Sequence, residues 1–183
     1  MAAARPDQLP AGASELLAAA AIDRIIERMA ARISDRLASL DPILMPILMG
    51  GAFAAIRLAA HFRFPYEMDS VRVARYGRHT QGGKLHWHAQ PRLDLDGRHV
   101  LLVDDVLDRG ITLAAVEHEL RRMNAASVHT AVLVRKELGG RVERPAVDFV
   151  GTDAPDRYLV GCGMDLDGRW RGLPALYALP AAG

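Results

Sequence analysis

The chain has 183 residues, half of them apolar and a quarter charged, and its net charge is +1. This length suits one domain with a sizeable core and is too short for two ordinary domains. The near-neutral charge gives no reason to expect a nucleic acid or an anionic membrane as a partner. The single cysteine, Cys162, excludes an intramolecular disulfide and predicts a cytoplasmic location. We interpret Cys162 as a packed small residue, which is simpler than a role as a nucleophile.

Neither a signal peptide nor a membrane span is predicted. The N-terminal region lacks a basic stretch followed by a long apolar core. Residues 42–60 are largely apolar, but Pro46 and two glycines interrupt the run and Arg57 lies inside it.

The first elements are a loosely ordered N-terminus and a long amphipathic helix. Residues 1–13 are rich in alanine, proline and glycine. Ser14 with Glu15 predicts the start of a helix, and apolar residues then recur at helical spacing. The apolar stripe consists of Ile22, Ile25, Ile26, Met29, Ile33, Leu37 and Leu40.

Next come a strand, a glycine turn, a second helix and another strand. Residues 43–48 predict a core strand, with Pro46 at a bulge or on an edge. The glycines at 50 and 51 are either ordinary turn residues or let backbone approach a ligand. Residues 52–61 predict a helix and residues 70–74 a strand. The apolar positions of that helix are Phe53, Ile56 and Leu58.

A long polar stretch follows at residues 76–97. Connections of this length in a compact domain are usually lids or binding loops, so a flexible lid is predicted. Residues 85–88 favour a short strand that would make it a two-stranded flap. His86 and His88 would share one strand face, which leaves a metal pair open, although no third ligand is evident.

Residues 100–113 carry the most chemistry. An apolar strand at 100–103 leads into Asp104, Asp105 and Asp108, and then into a turn with Gly110 and a helix start. Strand alternation predicts that the first two carboxylates point to opposite faces. Exposed N–H groups at a helix start suit a phosphate, and carboxylates beside them suit sugar hydroxyls or a divalent cation. A solvated loop with capping acids is the simpler alternative.

The remaining elements complete an α/β pattern. A helical stripe runs to residue 123, strands are predicted at 128–134 and 147–150, and Lys136 follows the first of these strands at its carboxyl end. Strands that alternate with helices predict a mostly parallel twisted sheet flanked by helices.

The order of residues in 100–113 resembles the phosphoribosyl-diphosphate motif of the type I phosphoribosyltransferases. Residues 47–51 are similar to a pyrophosphate loop, and residues 75–77 to the root of a lid. The block from 147 to 165 resembles the base pocket of the hypoxanthine–guanine phosphoribosyltransferases, and the likeness extends from about Ile22 to Leu179. The resemblance implies a single domain over 1–183, with a small hood subdomain to which residues 151–183 contribute.

The resemblance implies a purine salvage reaction. A 6-oxopurine, hypoxanthine or guanine, and phosphoribosyl diphosphate would give IMP or GMP and pyrophosphate, with Mg²⁺. Asp104 and Asp105 would hold the ribose hydroxyls, directly or through the metal. Asp108 would face the purine N7 as general base or acid, although a loop cap is its alternative. The residues that would cradle the 5′-phosphate are Arg109, Gly110, Ile111 and Thr112.

Base recognition is carried over by matching position. Lys136 would donate to the purine O6, Tyr158 would stack on the base and the Leu159 backbone would meet its edge. Asp165 would help to bind a second Mg²⁺, and Arg171 would reach the pyrophosphate. A core aromatic for Tyr158 and a surface charge for Arg171 are the alternatives.

Met49 and Gly50 would bind pyrophosphate, and Tyr76 would close over the site from the lid. The sequence departs from the family pattern at three positions. Met49 replaces a common lysine, Arg75 a common serine, and Arg109 a small hydroxyl residue.

Two other functions stay open at this point. One is a regulator of the same fold that binds a nucleotide and nucleic acid, and the other is an enzyme that prefers xanthine. The family implies a homodimer or homotetramer.

Overall fold

The computed structural model describes residue 9 and residues 12–75, 85–139 and 142–180. The predicted loose N-terminus at 1–13 lies mostly outside these described residues. The elements in chain order are β1 (Ser14–Leu17), α1 (Ala19–Leu37), β2 (Ile43–Leu48), α2 (Gly51–Ala59), β3 (Glu67–Met68), β4 (Val71–Arg75), β5 (Leu85–Ala89), β6 (His99–Leu107), α3 (Ile111–Arg122), β7 (Ser127–Glu137), β8 (Phe149–Pro155), β9 (Leu159–Val160) and β10 (Leu176–Ala178).

The main sheet is mostly parallel, as predicted. Its strand order is β5-β4-β2-β6-β7-β8, and β3 pairs with the first part of β2. Every pairing is parallel except that between β4 and β5. Strands joined by helices need this arrangement, because a crossover returns the chain to the same end of the sheet.

Both faces of the sheet are covered, which explains the continuous apolar run in β6. Leu101 and Val103 pack on one face with α1 and α2, while Val100 and Leu102 pack on the other with α3. Each fully buried aliphatic side chain of this kind stabilises the fold by about 1.5–3 kcal/mol. The predicted stripe on α1 is buried from Ile22 to Leu37.

We expect Ile33→Ala to show how strongly α1 supports the fold. Ile33 is fully buried, so the lost contacts and the cavity should lower the free energy of unfolding by about 2–5 kcal/mol. Val142→Ala is the matched control, because Val142 is 40% exposed and its truncation should change that free energy by less than about 0.5 kcal/mol. Urea unfolding measures both, and equal losses would contradict the assignment of the core.

One prediction for the second helix is wrong. Ile56 was predicted on the apolar face of the second helix but is exposed, whereas Leu58, predicted on the same face, is fully buried together with Gly51, Ala54 and Ala55. A Cβ atom on Gly51 would lie 2.2 Å from the Val103 carbonyl oxygen. The helix therefore packs so close to the sheet at its first turns that the buried residues there are small, and Leu58 is the large buried residue near its end.

The predicted start of the first helix is also wrong. Ser14 and Glu15 lie in β1, which pairs antiparallel with β10, and α1 begins at Ala19 without a side-chain cap. Pairing with a strand about 160 residues away therefore outweighs the local capping signal of Ser14.

Pro46 does not lie on an edge, because β2 has neighbours on both sides. On one side Leu44 pairs with Met68 of β3, whereas Ile47 pairs with Val71 of β4. Pro46 occupies the interval between these two partners. A residue without an N–H is tolerated there, since the ladder is already interrupted.

A second, three-stranded sheet of order β1-β10-β9 forms the predicted hood from both ends of the chain. Beneath it, the side chain of Cys162 is fully buried, and burial raises the pKa of its thiol to about 12. Such a thiol is a packed residue and not a nucleophile. No helix in the described part of the chain is long and apolar enough to cross a membrane.

Candidate active site

Two adjoining cavities lie at the carboxyl ends of the parallel strands, where open α/β sheets bind ligands. The first has a volume of about 380 Å³ and the second about 330 Å³, and Asp104, Asp105 and Val106 line both. The first cavity gathers the predicted residues Met49, Gly50, Lys136, Tyr158, Leu159, Asp165 and Arg171. The second gathers Asp108, Arg109, Gly110, Ile111 and Thr112.

The second cavity is built by the turn from β6 into α3. Gly110 has a φ of +71°, and a Cβ atom there would lie 2.5 Å from a Pro145 side-chain carbon. Helix α3 then begins at Ile111 with no side-chain cap and no acid in its first turn. Its first N–H groups are therefore available to an anion, and the helix dipole favours negative charge there.

Asp104 and Asp105 form a close pair beneath both cavities. The predicted separation of their carboxylates onto opposite faces does not hold. The Asp104 carboxylate turns back to accept the Asp105 N–H at 3.0 Å, and the Asp105 carboxylate accepts the Val106 N–H at 2.7 Å. Burial, and then the charge of Asp105, raises the pKa of Asp104 well above its usual value, and burial also raises the pKa of Asp105. A bound cation, or hydroxyl groups that donate hydrogen bonds, would stabilise the charged form of these two carboxylates.

Asp108 and Lys136 meet at the junction of the two cavities. The Lys136 ammonium nitrogen lies 3.4 Å from a carboxylate oxygen of Asp108 and 3.6 Å from one of Asp156. Among the described residues, the Asp108 carboxylate accepts no backbone N–H, so the loop-cap alternative is wrong. A lysine donor and a carboxylate acceptor therefore stand side by side, as recognition of two neighbouring positions on one heterocycle requires.

The segment that follows β8 forms another wall of the first cavity. The Tyr158 residue is 53% exposed and lines the cavity, so it is not a core aromatic. Arg171 is not a free surface charge, because it bonds an Asp165 carboxylate oxygen at 2.5 Å and the Gly163 carbonyl oxygen at 2.7 Å. The guanidinium is thereby fixed beside the cavity.

Three backbone segments meet under the first cavity with no room for side chains. A Cβ atom on Gly50 would lie 2.3 Å from a carboxylate oxygen of Asp105, and one on Gly163 would lie 2.3 Å from the Gly50 carbonyl oxygen. Gly163 was not among the predicted site residues. Its only signal was the Gly-Cys-Gly turn, which does not reveal its packing partner.

Asp156 was also missed. It follows Pro155 in a block that the sequence already assigned to the base pocket, but its contact with Lys136 crosses from the end of β8 to β7. Tyr76 lies outside the described residues. The strands that flank its segment, β4 and β5, pair antiparallel as predicted.

The carboxylates of Asp104, Asp105 and Asp165 are the candidate metal ligands of the site. Among the described residues, no group of three or more histidine, cysteine, aspartate or glutamate side chains could hold a metal ion. A metal here would take one or two of the carboxylates of Asp104, Asp105 and Asp165, and complete its shell with water and substrate oxygens. Mg²⁺ prefers this kind of site, so the donor set fits it.

The model of the phosphoribosyl transferase domain matches residues 12–165, so this fold and site define a phosphoribosyltransferase. The chain is 32% identical to the hypoxanthine-guanine phosphoribosyltransferase of Streptococcus pneumoniae strain R6, over 86% of this chain and 88% of that protein. We conclude that it belongs to the hypoxanthine–guanine phosphoribosyltransferase family.

Two further relatives extend the comparison. The hypoxanthine-guanine-xanthine phosphoribosyltransferase of Tritrichomonas foetus is 27% identical, over 85% of each chain. A structure of hypoxanthine phosphoribosyltransferase from Trypanosoma cruzi, a mutant complexed with the product IMP, superposes with a TM-score of 0.84 at 27% identity. That superposition covers 95% of both chains.

Proposed function

We propose that the protein transfers the 5-phosphoribosyl group from phosphoribosyl diphosphate to hypoxanthine or guanine, giving IMP or GMP and pyrophosphate in purine salvage. The observation that carries this proposal is the contact between Lys136 and Asp108 beside the buried Asp104–Asp105 pair. The proposed donor to the base, the proton acceptor and the sugar ligands thus surround the two adjoining cavities.

Asp108 takes the proton in this proposal. The purine N9 bonds to C1′ of the ribose while the bond from C1′ to the pyrophosphate oxygen breaks, and the base loses its proton at N7. A half-exposed carboxylate at the cavity junction can accept that proton. The proton thus moves to Asp108 as the electron pair of the broken bond leaves with pyrophosphate.

Lys136 selects the base. Its ammonium donates to the O6 of an oxopurine, whereas the 6-amino group of adenine would present a donor to a donor. Tyr158 stacks on the ring, and the Leu159 backbone meets the opposite edge. Both residues line the same cavity as Lys136.

The two phosphate groups occupy different ends of the site. The 5′-phosphate lies at the start of α3, held by its N–H groups and the Thr112 hydroxyl. Pyrophosphate lies against the Met49–Gly50 backbone, near the Arg171 guanidinium. Met49 replaces a charged side chain with an apolar one, but the backbone donors are unaffected.

Asp104, Asp105 and Asp165 would hold Mg²⁺, which neutralises charge on the leaving pyrophosphate when bound. The protein carboxylates themselves orient the ribose hydroxyls. The lid proposed for residues 76–97 includes Tyr76 and begins in a part of the chain, 76–84, that lies outside the described residues. The stem of this lid, β4 and β5, adjoins β2, which ends at the pyrophosphate loop.

The test is turnover. Purified protein with Mg²⁺, phosphoribosyl diphosphate and hypoxanthine or guanine should form nucleotide, while adenine should not react. Xanthine is assayed alongside, because the Tritrichomonas foetus relative is named for all three bases. Absence of turnover with every oxopurine, together with salt-dependent nucleic acid binding, would support the regulator instead.

Arg109 adds a cation that the family motif usually lacks. It is exposed, it lines the second cavity, and within the described part of the chain it makes no hydrogen bond or ion pair. We expect Arg109→Gln to raise the KM for phosphoribosyl diphosphate about 2- to 5-fold, the size of an exposed charge interaction. Arg24→Gln, an exposed change on α1, should leave that KM unchanged.

We also propose a cytoplasmic homodimer or homotetramer. Ile56 and Met68 are exposed large apolar residues on the rim of a mainly apolar cavity of about 620 Å³, and such patches often mark subunit contacts. Light scattering that shows only monomer at micromolar concentration would contradict this assembly.

A further inference from the structure

The ammonium group of Lys136 is shared by two carboxylates. Its nitrogen lies 3.4 Å from Asp108 and 3.6 Å from Asp156, and its side chain is only 15% exposed. Nothing in the sequence assigned a role to Asp156. The three charged groups carry a net charge of −1 when all are ionised, so one carboxylate is in excess of what the lysine needs.

The position of Asp156 is fixed by strand pairing. In the β7–β8 register, Lys136 lies opposite Ala154, and Glu137 lies opposite Pro155. Asp156 is the next residue after β8, where the Arg157 N–H donates to the Pro155 carbonyl oxygen at 2.8 Å and closes a turn. The carboxylate is therefore held next to Lys136 by the main sheet and not by a loose loop.

The excess carboxylate has a consequence for the reaction. When Asp108 accepts the base proton it becomes neutral, and it can no longer act as the counter-ion of Lys136. Asp156 lines neither cavity, so it is not placed to take the base proton and stays available as a partner of Lys136. A mostly buried ammonium with one remaining carboxylate stays paired, and its donor direction toward the base is retained.

We propose that Asp156 is a positioning residue that holds the Lys136 ammonium at the base edge while Asp108 takes the proton. This inference rests on the proposed function. Without Asp156, the ammonium has only Asp108 as a partner. It then moves toward Asp108, away from O6, and competes with N7 for the same oxygen.

The first experiment is the variant Asp156→Asn, which keeps the shape and removes the charge. We expect kcat/KM for hypoxanthine and guanine to fall about 10-fold, with the KM for phosphoribosyl diphosphate unchanged. Asp156→Glu should recover much of the loss. Asp35→Asn is the matched control and should keep wild-type kinetics, because Asp35 is an exposed acid on α1 that forms no ion pair with any residue in the described part of the chain.

A double-mutant cycle separates positioning from a structural effect. If Asp156 acts through Lys136, then Asp156→Asn should cost nothing more in a Lys136→Met background. Calorimetry adds a readout without turnover, because Asp156→Asn should weaken binding of IMP but not of ribose 5-phosphate. Thermal unfolding of each variant checks that the fold is intact.

The outcomes distinguish the two proposals. A wild-type protein with no oxopurine turnover would overturn the proposed function itself. If the wild type is active and Asp156→Asn matches Asp35→Asn, or if its loss persists undiminished in Lys136→Met, the role of Asp156 is overturned while the proposed function stands.

Discussion

Replacement of Asp108 by asparagine should lower kcat with hypoxanthine or guanine by about 10²- to 10⁴-fold, the usual contribution of a general base. Asparagine keeps the size of the side chain and can still meet Lys136 through its amide oxygen. It cannot take a proton from the base. The loss should therefore appear in the chemical step.

Binding should be spared in this variant. The predicted phosphate ligands, from Arg109 to Thr112, and the Asp104–Asp105 pair remain in place, so the dissociation constant for phosphoribosyl diphosphate should change by less than about 3-fold. Calorimetry and single-turnover kinetics measure the two quantities separately. A variant that keeps kcat but loses affinity would reassign Asp108 to substrate binding.

The second large effect is expected at Gly163, where three segments of the site touch. Gly163 has a φ of +109°, and a Cβ atom there would lie 2.3 Å from the Gly50 carbonyl oxygen and 2.9 Å from Cβ of Asp105. We expect Gly163→Ala to lower the free energy of unfolding by about 2–5 kcal/mol through backbone strain and overpacking. Activity should fall as well, because the clash displaces Gly50 and Asp105, which belong to the proposed pyrophosphate and ribose sites.

Gly168→Ala is the control for backbone strain alone. Gly168 has a φ of +78° but no atom within 4 Å of its Cβ position, so the change should cost only about 1–2 kcal/mol and leave activity near wild type. Urea unfolding and steady-state kinetics compare the two variants. Equal losses of stability with activity intact in both would show that the contact of Gly163 with Gly50 does not shape the site.

The sequence predicts those parts of the fold whose signal is local. The stripe on α1 is visible because helical spacing and burial coincide. β6 is visible because a strand buried on both faces has no polar residue between His99 and Asp104. The motif after β6 also fixes the glycine turn. The turn requires a left-handed backbone at position 110, and a glycine in the sequence there indicates such a conformation.

The parts that escaped prediction depend on distant partners. β1 is a strand because it pairs with β10, and the sequence around Ser14 contains no sign of this distant partner. Ile56 has the spacing of a core residue, but the close approach of α2 to the sheet buries small residues instead. In both cases tertiary packing decides between local alternatives.

The site shows the same division. Residue types along one motif identified Asp104, Asp105 and Asp108, and position relative to the strands identified Lys136. Asp156 was identified only from the structure, in which the β7–β8 register brings its carboxylate to Lys136. Such contacts between the ends of neighbouring strands are set by pairing, and a single sequence does not specify that pairing.

The burial of Cys162 protects the thiol of this protein from chemical modification. Cys162 is the only cysteine of the chain, and its fully buried side chain precedes Gly163. With a pKa near 12, its thiol has almost no thiolate at neutral pH, and the thiolate is the form that oxidants and electrophiles attack. Reagents that modify thiolates should therefore leave the activity of this protein largely unchanged.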